Sequence, residues 1–128
     1  MAKLFTAAQF RRLLANGCRA AAGENPDPLP VVKLFTPDGD ATWLLTEIDP
    51  DDHTLAFGLC DLGLGCPELG TVDLEEITAL RGRLGLPVER DRHFGADRPL
   101  SVYAAKAHAA GRLSTASSKR RSETGETA

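Results

Sequence analysis

Three carboxylates, Glu47, Asp61 and Glu68, stand where the chain can bring them together. Glu47 interrupts an apolar run that contains Trp43, Asp61 follows a second such run, and Glu68 lies just beyond the glycine-bearing stretch after it. Carboxylates that converge on one point hold a hard cation such as Mg²⁺, which takes few protein oxygens and keeps several waters. A cation held in this way activates water for phosphodiester cleavage. Asp49 is the natural fourth member. A carboxylate inside an apolar run also has a plainer explanation, a structural ion pair, with Lys33 or Arg90 as the partner, and this explanation is preferred for Glu47. Asp38, Asp40, Asp51, Asp52, Glu75 and Glu76 sit at turns or helix starts and are read as solvent-facing.

Other reactive side chains form no recognised set. Cys60 and Cys66 are wider apart than the usual zinc pair, and no second Cys/His pair accompanies them, so no metal site is expected. His53, His93 and His108 are scattered, with no local nucleophile. Gly63-Leu64-Gly65 lacks the spacing and the lysine of a phosphate loop. Arg83, Arg90 and Arg92 are candidate phosphate contacts, set against the simpler role of neutralising the acidic part of the chain.

The elements that position these residues are legible in outline. Thr6-Ala7-Ala8-Gln9 has the form of a capping box and starts a helix whose one apolar face carries Phe10, Leu13, Leu14, Gly17, Cys18 and Ala21 and which stops at Gly23. Three prolines between Glu24 and Pro30 make a linker. Val31 to Thr36, Ala41 to Ile48 and Thr54 to Cys60 read as three consecutive antiparallel strands, with Glu68 to Val72 as a short fourth. Strict alternation puts Trp43, Leu45 and Glu47 on one face of the second strand. In the third it separates Leu55, Phe57 and Leu59 from Thr54, Ala56, Gly58 and Cys60. The small residues of that second set, with Trp43 beside Gly58, suggest a groove open to a ligand. Asp73 caps a short helix that buries Leu74, Ile77 and Leu80 and ends near Gly82. Pro87 to His93 reads as an edge strand, Pro99 as a first-turn proline, and Leu100 to Ala110 as a closing helix. The fold class is α+β: an antiparallel meander of three to five strands packed by an N-terminal, a short middle and a C-terminal helix. Residues 1–113 form the domain, and Ser114 to Ala128, without large apolar side chains, read as a disordered polar tail.

At 128 residues, with 42% hydrophobic and 26% charged, the chain is sized for one domain. Its net charge of −3 hides a division. Leu34 to Leu80 holds eleven acids and no Lys or Arg, whereas both flanks are basic. That balance argues against an ordinary basic nucleic-acid-binding protein. No run approaches a membrane span, and Gln9, Arg11 and Arg12 break the apolar start before a secretion core forms, so a cytoplasmic location is expected. Three cysteines fit a reducing compartment.

Several segments occur in an order that resembles a known family: Pro30-Val-Val-Lys-Leu-Phe-Thr-Pro37, Trp43-Leu-Leu-Thr-Glu47, Phe57-Gly-Leu-Cys-Asp-Leu-Gly-Leu-Gly65, Pro67-Glu-Leu-Gly70 and Arg83-Leu-Gly-Leu-Pro-Val-Glu-Arg-Asp91. Together they are similar to the bacterial domain-of-unknown-function family 2958, from about Leu4 to Leu113. The resemblance implies an association with plasmids and integrating elements and, for some members, a label as single-stranded DNA endonucleases. Cys66 and Thr71 depart from the family pattern, which has aromatic residues there. No catalytic residues carry over.

Two functions follow as expectations. The first is a non-catalytic accessory protein of a plasmid or other mobile element, whose acidic middle binds a basic, nucleic-acid-handling protein and needs no cofactor. The alternative is a metal-dependent endonuclease acting on single-stranded DNA, with Mg²⁺ or Mn²⁺ held by Glu47, Asp61 and Glu68.

Overall fold

The first helix starts as its cap dictates: the Gln9 amide donates to the Thr6 hydroxyl (3.0 Å), and the Thr6 amide donates to the Gln9 side chain (2.9 Å). In the computed structural model, which describes residues 4–24 and 26–115, helix α1 runs Ala7–Ala21. Strands β1 (Val32–Phe35), β2 (Thr42–Asp49), β3 (Asp52–Asp61) and β4 (Glu68–Asp73) follow. After them come helix α2 (Leu74–Ala79), the two-residue strand β5 (Glu89–Arg90) and helix α3 (Leu100–Ala110). The five strands form one antiparallel sheet in the order β4-β3-β2-β1-β5. This is the expected α+β architecture, with the full five strands.

Each face of the sheet buries its own core. Leu13 of α1 and Leu74 and Ile77 of α2 pack with Val32, Leu34, Trp43, Leu45, Ile48 and Ala56 on one face. On the other, Leu100, Tyr103, Ala104 and Ala107 of α3 cover Leu44 and Leu59. Between β4 and β5 the chain crosses from one edge of the sheet to the other, and Val88 joins the same core as α2.

Several boundaries differ from expectation. Helix α2 ends at Ala79, because Leu80 is extended (φ −67°, ψ 140°) and Arg81 forms a bridge with Pro87. Leu80, expected in the core, is therefore 38% exposed. Pro99 is the N-cap of α3 rather than its first helical residue. Asp38 does not face solvent as a simple turn residue: its carboxylate accepts from the amides of Leu84 (2.6 Å) and Leu86 (3.3 Å) and fastens the loop after α2 to the β1–β2 turn. Beyond α3, the Lys33 ammonium donates to the Thr115 hydroxyl (2.7 Å). The expected tail from 116 onward lies outside the described residues.

At Gly17, α1 meets β2 without an intervening side chain. A Cβ at Gly17 would lie 1.8 Å from the Ile48 carbonyl oxygen, so helix and strand touch backbone to backbone. On an exposed helix, Gly→Ala gains about 1 kcal/mol of helix propensity. Here the clash reverses the sign: Gly17→Ala is expected to lower stability by about 2 kcal/mol or more, measured as a fall in the urea midpoint, and an unchanged or higher midpoint contradicts this packing.

Candidate functional site

Glu47 owes its position to one extra residue. The β2–β3 register passes from Leu45↔Gly58 to Glu47↔Phe57, which leaves Thr46 as a bulge. A bulge breaks the two-residue alternation, so Ile48, not Glu47, shares the core with Trp43 and Leu45. Directly paired residues point to the same face, which puts Glu47 on the side of Phe57, opposite to the face that strict alternation predicts. The bulge is fully buried and its polar groups are satisfied. The Asn16 side-chain amide donates to the Thr46 carbonyl (2.8 Å), and the Thr46 hydroxyl lies within reach of the Phe57 carbonyl (3.3 Å) and Glu47 Oε1 (3.4 Å).

Among the described residues Glu47 has no ion-pair partner, which corrects the expected bridge to Lys33 or Arg90. Lys33 instead pairs with Asp91 (3.6 Å), and Arg90 lies on β5, opposite Leu34 and beyond β1. Burial pushes the Glu47 carboxyl above its ordinary value, with the Thr46 hydroxyl opposing. Glu47 lines a hollow of about 360 Å³ at the end of the sheet together with Asp49, Asp51, Phe57 and Thr71 and with Gly17, Ala20 and Ala21 of α1. Asp52, Asp73, Glu75 and Glu76 lie at the same end of the sheet, because Asp49 pairs with Asp52 and Leu55 with Asp73, the cap of α2.

The other two carboxylates stand elsewhere. Asp61 is buried and accepts from the amides of Gly63 and Leu113 (2.8 Å each), so its oxygens hold the β3–β4 loop and the segment after α3. Glu68 is exposed and pairs with Cys60, which packs against the α1-side core. It therefore faces away from Asp61. Along β3, Phe57 opposite Glu47 is four residues from Asp61, roughly 13 Å at the rise of a strand. Glu47, Asp61 and Glu68 do not meet at one point, and among the described residues no group of three or more His, Cys, Asp or Glu is placed to hold a metal ion.

The expected groove is closed. Trp43 is 4% exposed beneath α1, and a Cβ at Gly58 would sit 1.9 Å from the Leu44 carbonyl, so Gly58 serves the close approach of β2 and β3 at the bulge. Burial pushes the neighbouring Cys60 thiol up, the charges of Asp61 and Glu68 push the same way, and a hydrogen bond with the Trp43 side chain opposes them.

Of the three candidate phosphate contacts, Arg90 and Arg92 come together with Lys33, Phe35 and His93 around a cleft of about 970 Å³ beside β1 and β5. Asp40, Glu89 and Asp91 line it as well, so its Lys and Arg charges are balanced by acids. Arg83 lies apart, in a hollow with Asp38, Leu62 and Leu80. No local signal reveals the cleft, because it forms only when β5 pairs with a strand more than fifty residues earlier.

Residues 4–114 match the model of a family described as a protein of unknown function (DUF2958). The chain belongs to this family. No curated protein and no solved structure matches it. The DUF2958 match ends at 114, next to Leu113 and Thr115, whose hydrogen bonds fasten the end of the domain to β3 and β1. Among the described residues no helix of this DUF2958 domain is long and apolar enough to cross a membrane.

The upward shift of Glu47 fixes the sign of a stability effect. A carboxyl with a raised value binds its proton more tightly in the folded chain, so its contribution to stability is lost as pH rises from the ordinary 4.5 through the raised value. Glu47→Gln removes that loss. Its urea midpoint at neutral pH should equal or exceed that of the parent, with the gap closing once pH falls below 4.5; a clearly lower midpoint at neutral pH would show that Glu47 has a stabilising partner.

Proposed function

We propose that this protein is a non-catalytic accessory module that docks a basic protein on the acidic end of its sheet. The observation that carries this reading is Glu47, a half-buried carboxylate with no ion-pair partner among the described residues, lining a hollow with Asp49 and Asp51. A partially desolvated charge without a counter-charge is unfavourable in the free protein and becomes favourable once a Lys or Arg arrives. At about 4 Å and an effective dielectric near 20, the attraction is about 4 kcal/mol before desolvation is subtracted. The surrounding acids add a long-range field that speeds the encounter. The setting implied by the family resemblance, a plasmid or other mobile element, makes a nucleic-acid-handling protein the partner class, since such proteins carry the basic surfaces this end would recognise.

The test uses a lysine-rich peptide as probe and calorimetry at low and physiological salt. Glu47→Gln should weaken binding about fivefold or more, while Glu75→Gln, on the exposed start of α2, should change it less than about twofold. Equal effects of the two substitutions would reduce the interaction to diffuse charge and defeat the docking reading. Cleavage of single-stranded DNA that requires Mg²⁺ or Mn²⁺ and disappears in Glu47→Ala would replace it with the endonuclease alternative.

A further inference from the structure

The sheet ends on its β4 side. Among the described residues β4 is the outer strand and pairs only with β3. Among the described residues its backbone makes no hydrogen bond to backbone outside that ladder. Half of the amides and carbonyls of an outer strand point away from the sheet and can pair with another chain. Natural sheets blunt such edges with charged side chains, proline, a bulge or a very short strand. β4 carries charge only at its two ends, Glu68 and Asp73, and between them its register with β3 is unbroken, Leu69 is 43% exposed, and nothing lies within 4 Å of where a side chain at Gly70 would stand. The opposite edge, β5, is only two residues long.

We infer that β4 receives an extended, basic segment of the partner protein as a sixth strand of the sheet. The inference rests on the docking reading above and adds the manner of binding. Charge selects the occupant. Two copies of β4 paired antiparallel about their centre would set Glu68 opposite Asp73 at both ends, and like charges directly opposite destabilise a ladder. A strand with Lys or Arg at those positions gains at both, and main-chain hydrogen bonds supply affinity between them. The edge and the acidic hollow are continuous, because Glu47, Phe57 and Thr71 form one row across β2, β3 and β4 and all three line that hollow.

The experiment uses the full chain with a short peptide that carries two lysines five positions apart, with valine and threonine between them, and, as control, the same peptide N-methylated at every residue, which keeps the charges and removes the donors. Binding of the first should slow hydrogen exchange of alternate amides within 68–73 about tenfold, and the methylated peptide should bind at least about tenfold more weakly. Equal affinity of the two peptides, or unchanged exchange in β4, overturns strand addition. If Glu47→Gln still weakens both peptides, the docking reading stands alone; if it weakens neither, both readings fall. Protection of β4 that grows with protein concentration in the absence of peptide would identify a second copy as the occupant and overturn the basic-segment inference.

Discussion

The bulge at Thr46 sets the terms for everything around it. One extra residue in a central strand leaves a carbonyl outside the ladder and turns every later side chain to the other face. Both consequences are met by specific residues. Asn16 reaches from α1 to the stranded carbonyl, and Gly17, the next residue, lets the helix backbone rest against Ile48. Gly58 gives β3 room to follow the distorted strand. Were Thr46 to take a regular place in the ladder, Ile48 would leave the core while Glu47 entered it. The helix, the two glycines and the position of the unpaired carboxylate are therefore one arrangement.

Much of this protein was readable before folding, wherever the signal was local. The Thr6–Gln9 box and the Asp73 cap act within a few residues, and the structure shows each where the spacing predicts it. The meander was equally legible because its turns are short and rich in Asp, Pro and Gly. The bulge was not, since an inserted residue is defined by the partner strand and leaves no mark in its own. The face of Glu47, the closure over Trp43 and Gly58, and the true partner of Lys33 all depend on it or on pairings between distant segments. The acidic middle was visible as a count. That Asp61 spends its charge on backbone amides while Glu47 keeps its own unpaired was not.

The two polar regions of the molecule consequently differ in kind. The cleft beside β1 and β5 holds more volume, yet its cations already face acids, and Lys33 is committed to Asp91 and Thr115. The hollow at the acidic end is smaller, and among the described residues Glu47 there has no ion-pair partner. Recognition depends on what a surface lacks more than on how large it is, and by that measure the smaller hollow is the more specific feature.

The bonds that close the chain on itself have a further meaning for how the molecule assembles. Leu113 reaches Asp61 across 52 residues, and Thr115 reaches Lys33 across 82. Contacts between such distant positions return free energy only after a long loop has been closed, whereas the β2–β3 hairpin needs only its own turn. The meander therefore closes at the smallest loop cost, whereas α3 is held by its apolar face, by the Leu100 and Ser101 amides donating to Pro28 and Asp27, and by the two bonds beyond its end. During synthesis, therefore, the chain must have emerged past Thr115 before these two long-range bonds can form.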